Sequence, residues 1–415
     1  MDTHFEILIV GGGTAGIMMA ASLLKEDNKL KIGILEPAET HYYQPAWTLV
    51  GAGTYSYEKT ARPMASVIPK GATWLREAAA GFEPGKHAVT TDAGHSYSYD
   101  YLVVAPGLVY DLEQVPGLAE ALDKGVVCSN YTDPEHTWKV LREFKGGTAL
   151  FTQPTTPIKC GGAPQKIMYL ADSYFRKSGV RDRTEVVFAT PGTVIFGIPE
   201  IKKTLMDVVD RKDINLRFGY KLVRVDGPNQ IAWYEFADHE KEYNHKDIKT
   251  EQDGELTGIH FDMLHTAPPS APPACVRDSE IANESGWVDV DPHTLRHNRF
   301  PNIFSLGDVA GLPTAKTGAA IRKQVPVVTE NIMRLREANI LGSPTYNGYS
   351  SCPLVTDYGK MVLAEFDYDN KFTPDPKLRQ LLISDSSKES WRLWILKKYG
   401  LPYLYWNKML KGKAV

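Results

Sequence analysis

The chain has 415 residues, with 47 Lys and Arg against 50 Asp and Glu and a formal net charge of −3. At roughly 100 to 200 residues per folding unit this length predicts more than one core, and the near-balance of charge excludes both a global basic field for nucleic acid and an acidic excess that would favour disorder. Cys128, Cys160, Cys275 and Cys352 form no C-x-x-C pair and no Cys/His cluster, which excludes a disulfide-dense secreted scaffold and a structural metal centre and points to a reducing compartment.

The opening "MDTHFEILIVGGG" enters a strand almost at once, so no cleavable signal or organelle presequence is expected, and no run of about 18 apolar residues provides a membrane-spanning helix. "FEILIVGGGTAGIMMAASLLKE" is an apolar strand, then Gly11, Gly13 and Gly16 in G-x-G-x-x-G spacing, then a helix opened by Thr14 and Ala15. Gly11 permits the tight turn, Gly13 lets the backbone approach a pyrophosphate, and Gly16 allows close helix packing, with the helix N-terminus facing the negative charge. The next strand, in "KLKIGILEP", ends at Glu36, 20 residues after Gly16, where a carboxylate can accept hydrogen bonds from ribose hydroxyls. His41, in "ETHYYQPAW", reads as structural rather than catalytic.

Two later stretches repeat one punctuation. "YSYDYLVVAPG" (97–107) and "IHFDMLHTAPP" (259–269) each place an aspartate before a short apolar strand and Ala-Pro, as expected where the chain passes between an inserted sheet and a nucleotide-binding unit. Between them "RTEVVFATPGTVIFG" has the strand of a second dinucleotide-type unit but lacks G-x-G-x-x-G. A second such fold is therefore expected without a second dinucleotide, which argues against a nicotinamide-dependent disulfide reductase.

"TPIKCGGAP" holds Cys160 outside any helix, because two glycines and a proline disfavour that state. "FPNIFSLGDVAGLPTAKTGAAIRKQ" (300–324) then gives a strand ending at Gly307 and Asp308, where glycine allows a close turn past a ligand and the carboxylate can accept from a ribityl hydroxyl. With the N-terminal fingerprint, this pair selects FAD over NAD.

These residues, with "YYQPAWTLVGAG", "TPIKCGGAPQKIMYLADSYFRKSG", "SGWVDVDPHTLRH", "YSSCPLVTDYGKMVLAEFDY" and "YLYWNKMLKG", make the chain resemble the sulfide:quinone oxidoreductases, in the branch that includes the mitochondrial enzyme. The resemblance runs over nearly the whole length. It implies an α/β flavoprotein of two tandem Rossmann-like units plus a C-terminal amphipathic membrane-association segment. The expected boundaries are 1–110 and 271–345 for the two parts of the FAD-binding unit, 111–270 for the second unit carrying Cys160, and 346–415 for the C-terminal region with Cys352.

The resemblance further implies that hydrogen sulfide is oxidised through a Cys160/Cys352 disulfide and that two electrons pass through FAD to a membrane quinone. Cys352 would accept the sulfur, Cys160 would be the thiolate facing the flavin, and a thiol, sulfite or further sulfide would remove the sulfane sulfur. The glycines after Cys160 are expected to bring the chain past the flavin. FAD contacts are expected from Gly11, Gly13, Thr14, Ala15, Gly16, Glu36, Gln44, Ala79, Ala105, Pro106, Gly107, Gly307, Asp308 and Lys316.

Several roles stay open on the residues alone. Lys316 is either the cation that stabilises reduced flavin or a solvated helix-cap lysine. Lys166 either lowers a thiolate pKa and steers sulfide, or is an ordinary surface lysine. Cys128 is either a third redox or flavin-linking thiol or a buried small hydrophobe, and Cys275 reads as the latter.

In "SWRLWILKKYGLPYLYWNKMLKGKAV", Trp391, Trp394, Ile395, Tyr399, Leu401, Tyr403, Leu404, Tyr405, Trp406, Met409 and Leu410 interleave with Arg392, Lys397, Lys398, Lys408, Lys411 and Lys413. Broken at Gly400-Leu401-Pro402, this reads either as two short amphipathic pieces for an anionic bilayer surface or as a terminal pair packed on the core or on a second subunit. The first reading makes the chain a peripheral protein, expected on the inner face of a prokaryotic cytoplasmic membrane. The rivals are a type II NADH:quinone-like oxidoreductase, a flavocytochrome-type sulfide dehydrogenase, and a non-catalytic FAD-stabilised membrane-binding protein.

Overall fold

Apolar runs buried on both faces build two largely parallel sheets. The computed structural model describes residues 3–236, 242–243 and 246–413. The first sheet runs in the order Ala72–Leu75, Ile32–Leu35, His4–Val10, Ser96–Val104, Ala88–Thr91, Ala79–Glu83, with Ile303–Ser305 also pairing in parallel with Ser96–Val104. Ile7, Leu8 and Ile9 have no exposed surface, which explains the unbroken apolar run that marked the first strand. One face is covered by the helix Thr14–Glu26 and by the long helix Gly318–Ala338, whose Ile17, Leu23, Val325, Val328 and Ile332 share one core.

The second sheet places Val127–Cys128, Met263–Thr266, Gly147–Thr152, Thr184–Thr190 and Asn215–Phe218 side by side in parallel, with Glu242–Tyr243 antiparallel at the edge. An antiparallel sheet of Tyr220–Asp226, Ile231–Phe236, Leu256–His260 and Thr250–Asp253 follows. Where the chain leaves the first sheet, Val109–Tyr110 pairs with Ser270–Ala271 on its return, so the two Ala-Pro exits end in adjoining segments.

The helix Ala163–Ser178 lies between the second sheet and the hairpin formed by Ser350–Asp357 and Lys360–Phe366. Ile167, Met168, Leu170 and Ala171 are fully buried, as befits a helix covered on both sides. Pro164 occupies its first turn and Gly179, in the left-handed region at φ 72°, ends it.

The C-terminal segment departs from the expected two pieces. Trp391–Ile395 is α-helical, Leu396–Gly400 is a π turn, and Leu401–Asn407 is α-helical again, so the Gly400-Leu401-Pro402 stretch does not break it. Pro402 falls in the first turn of the resumed α-helix, where its missing N–H costs nothing. Among the described residues no helix is long and apolar enough to cross a membrane.

Candidate active site

Cys160 and Cys352, 192 residues apart, meet at an Sγ–Sγ distance of 3.5 Å. Cys160 reaches this point from a short parallel bridge between Lys159 and Lys316, in which its N–H donates to the Lys316 carbonyl at 2.8 Å. Its φ of 54° lies in the left-handed region, a strain of roughly 1–3 kcal/mol for a residue with a Cβ. Bonds on its carbonyl from Ala163 N–H (2.8 Å) and the Tyr131 hydroxyl (3.3 Å) hold the turn. Cys352 comes from the inner strand of the C-terminal hairpin, opposite Ala364, and is 2% exposed.

Gly162 makes the meeting possible. A Cβ there would lie 2.5 Å from Cys352 Sγ and 2.5 Å from Leu354 Cδ2. What this glycine admits within the protein is the partner thiol and the leucine beside it. Gly161 meets no atom within 4 Å.

Lys166 is no surface lysine. It is 2% exposed, and its Nζ donates to Cys160 Sγ at 2.9 Å from the first turns of the Ala163–Ser178 helix. The Cys352 thiol, donating across the 3.5 Å gap, holds Cys160 well below the ordinary thiol range against the effect of burial, with the Lys166 and Lys397 ammonium groups adding to it. Donation to Cys160 and burial together push Cys352 far up. The reduced pair thus carries one proton, on Cys352, and one negative charge, on Cys160. Burial alone would depress Lys166, but the negative charge of the thiol pair and the hydrogen bonds to it outweigh burial and raise its pKa.

Lys397 is carried by the π turn. It is 2% exposed, with Nζ donating to the Pro45 carbonyl at 2.8 Å, so at this residue the reading of a segment packed on the core applies. Helical spacing does carry the signal: Leu393 and Trp394 precede it by four and three positions and are buried on the same face. Tyr405, Met409 and Leu410 are likewise buried, so part of the aromatic run serves packing.

Of the expected FAD residues, Gly11, Gly16, Glu36, Ala105 and Pro106 gather around the end of the first strand. Gly11 (φ 101°) runs so close to the exit of Ser96–Val104 that a Cβ would sit 2.3 Å from the Ala105 carbonyl oxygen and 2.7 Å from Pro106 Cα, and a Cβ on Gly16 would sit 1.8 Å from the Gly11 oxygen. Gly13 and Gly107, by contrast, face space free of any atom within 4 Å. A close turn, a helix N-terminus and this open flank fit the pyrophosphate of a dinucleotide. Glu36 is fixed by accepting from Gly12 N–H (2.7 Å) and Ala38 N–H (2.8 Å).

Ala15 packs against Gly307, whose N–H donates to Gln324 Oε1 at 2.9 Å. Gln44 accepts from Lys159 Nζ at 3.1 Å, and Asp308 bears electrostatically on Lys159, Lys316 and Tyr110. Ala79 opens the edge strand Ala79–Glu83. Thr14 shares a 2.7 Å bond with the Tyr405 hydroxyl, which also bonds the buried His41 at 2.6 Å; the sequence offered no sign of this seal.

Lys316 is not a solvated cap. Its ammonium donates to the Asp308 and Ala310 carbonyls and stands 3.8 Å from the Trp287 ring centroid, and burial lowers its pKa to about 8, with the Asp308 charge opposing. Cys128 has no exposed surface, and burial raises its thiol far above the ordinary range, which makes it unreactive. Cys275 is half-buried and also raised by burial.

Residues 5–153 match the family model for pyridine nucleotide-disulphide oxidoreductases. The mitochondrial sulfide:quinone oxidoreductase of Mus musculus is 40% identical over 411 residues, spanning 99% of this chain and 87% of that protein. The chain belongs to the sulfide:quinone oxidoreductase family. A second mitochondrial family member, from Dictyostelium discoideum, is also 40% identical, over 98% of this chain and 86% of its own. The solved structure of the sulfide:quinone oxidoreductase of Aquifex aeolicus superposes with a TM-score of 0.78 at 20% identity, covering 99% of this chain and 92% of that one, so the two share a fold. The resemblance drawn from the cysteine-centred stretches is borne out at the level of the family.

Proposed function

We propose that the chain oxidises hydrogen sulfide and delivers two electrons to a quinone, with Cys160 and Cys352 as the redox pair. The observation that carries this is the 3.5 Å approach of the two thiols beside a buried lysine whose Nζ lies 2.9 Å from Cys160 Sγ. Starting from the disulfide, HS⁻ attacks Cys352 Sγ. A sulfur–sulfur bond forms to Cys352, the Cys160–Cys352 bond breaks, and Cys160 leaves with the electron pair as a thiolate that Lys166 stabilises. Cys352 then holds the sulfane sulfur until a thiol, sulfite or sulfide takes it away. Reclosure of the disulfide surrenders two electrons.

When bound, FAD supplies the acceptor for that electron pair and hands it on to the quinone. Gly11, Gly13 and Gly16 with the Thr14–Glu26 helix would hold its pyrophosphate, Glu36 its ribose, and Gly307 and Asp308 its ribityl chain. Lys316 would balance the negative charge that reduction brings. We read 1–110 with 271–345 as the FAD unit, 111–270 as the second unit, and 346–415 as the C-terminal region.

The C-terminal region also supplies a candidate bilayer face. Trp391, Ile395, Tyr399 and Tyr403 recur at every fourth position and are 65%, 45%, 59% and 59% exposed, with Arg392, Lys411 and Lys413 exposed nearby. Interfacial aromatics and cations of this kind suit an anionic membrane surface from which an apolar quinone could be reached.

The test is anaerobic addition of sulfide to the holoprotein, followed by a short-chain quinone. Flavin absorbance should bleach and then recover, and Cys160→Ala and Cys352→Ala should each abolish rapid bleaching. Normal bleaching in both variants would sink the assignment.

A further inference from the structure

Two consecutive carbonyls hold the two thiol-bearing chains. The Lys316 carbonyl accepts the Cys160 N–H at 2.8 Å, and the Ala315 carbonyl accepts the Ser350 hydroxyl at 3.3 Å. Ser350 opens the strand that carries Cys352, and because side chains alternate along a strand the two stand on one face of it. Ser350 has no exposed surface, and its Oγ lies 2.9 Å from Thr317 Oγ1. Since the one hydroxyl hydrogen of Ser350 goes to Ala315, Thr317 must donate to Ser350, while it accepts from the Ala320 N–H at 3.1 Å as the cap of the Gly318–Ala338 helix. The bonds therefore run in one direction, from Ala320 through Thr317 and Ser350 to Ala315, with each hydroxyl both donating and accepting. A further tie, from the Thr314 hydroxyl to the Gly348 carbonyl at 2.8 Å, holds the chain just before that strand.

We propose that Ser350 is a positioning residue, which fixes the strand of Cys352 against the segment that holds Cys160 and so sets how readily the two sulfurs close to a disulfide. The idea deepens the Cys160/Cys352 relay above and rests on it. Ser350 acts through Cys352 rather than on the reacting atoms. Cys160 cannot follow a drifting partner, because its left-handed φ of 54° and the bonds on its N–H and carbonyl fix its turn. The approach of the sulfurs then depends on what holds the strand of Cys352. With the hydroxyl chain intact, the open dithiol keeps each thiol at a high effective concentration for the other; without it the strand gains freedom and that concentration falls.

The experiment equilibrates the holoprotein anaerobically with glutathione buffers of graded ratio, in which two glutathione thiols are oxidised to one disulfide for each Cys160–Cys352 bond opened. The fraction of the two cysteines open to alkylation is read by mass spectrometry, independently of flavin chemistry. Ser350→Ala should lower the equilibrium constant for disulfide formation about tenfold, the scale of one buried hydrogen bond, which places the couple about 30 mV above wild type. Thr317→Ser keeps the hydroxyl chain and should stay at the wild-type value. Thr317→Val breaks the chain one link earlier and should match Ser350→Ala. It also carries the test if the alanine variant does not fold.

An unchanged equilibrium constant in Ser350→Ala or Thr317→Val overturns the proposal, as does an equal shift in Thr317→Ser, which would make the effect one of packing rather than of the hydroxyl chain. Failure of the underlying relay is distinguishable, because it appears as rapid bleaching by sulfide in both Cys160→Ala and Cys352→Ala whatever the equilibrium constant does.

Discussion

Replacing Gly162 with alanine puts a methyl group where Cys352 now sits. The backbone there (φ −87°, ψ −2°) accepts any residue, so the perturbation is steric alone. The added Cβ would stand 2.5 Å from both Cys352 Sγ and Leu354 Cδ2, against an ordinary contact of about 3.5–4.0 Å, so the hairpin must retreat by about 1 Å. Overpacking of this size costs about 1–3 kcal/mol, which a folded chain of this length tolerates. Disulfide geometry is less forgiving, since it needs Cβ atoms about 3.5–4.5 Å apart. A misplacement near 1 Å at a reacting centre costs on the order of 100-fold in rate. Gly162→Ala should therefore bind FAD normally, contain two more free thiols than wild type on titration as isolated, and bleach with sulfide about 100-fold more slowly. An unchanged thiol titre together with wild-type bleaching would refute the claim that Gly162 sets the approach of the two sulfurs.

Loss of the cation beside Cys160 in Lys166→Met should move the inflection of Cys160 alkylation by iodoacetamide to higher pH, so that alkylation near neutrality slows; an unmoved inflection would deny Lys166 its role. His41 is neutral in the fold, with burial lowering its pKa to about 4 from 6.5, so its contribution to stability is present above the unfolded value and is lost as pH falls towards the folded one. Between about pH 7 and 4 the wild type should lose about 3 kcal/mol more than His41→Gln by chemical denaturation, and equal losses would contradict the buried neutral imidazole. Trp391→Glu with Tyr399→Glu should abolish sedimentation with anionic vesicles while leaving reduction of a short-chain quinone intact; retained vesicle binding would remove the bilayer face.

The nucleotide cradle was legible because its causes are local. A strand, a turn that only glycine can make at Gly11 and a helix start at Thr14 follow from neighbouring residues, and the contact of Gly11 with Ala105 and Pro106 then follows from parallel pairing of two strongly apolar strands. Cys160 was legible in the same sense, since two glycines and a proline keep it out of a helix whatever surrounds it. The C-terminal segment was misread in part because composition records aromatics and cations but not which way they face. Lys397 and Tyr405 turn inward while Tyr399 and Tyr403 turn outward.

By itself the sequence determined the glycine turn, the carboxylate at Glu36, the non-helical loop that carries Cys160 and, through resemblance, the family. Tertiary structure alone decided that Gly162 accommodates the second thiol, that Lys166 is buried and bonds the first, and that the charge of Lys397, from the far end of the chain, bears on the pair. Backbone preferences act over a few residues. The meeting of Cys160, Cys352 and Lys166 depends instead on how a hairpin and a loop pack against one buried helix, and no local preference records that packing.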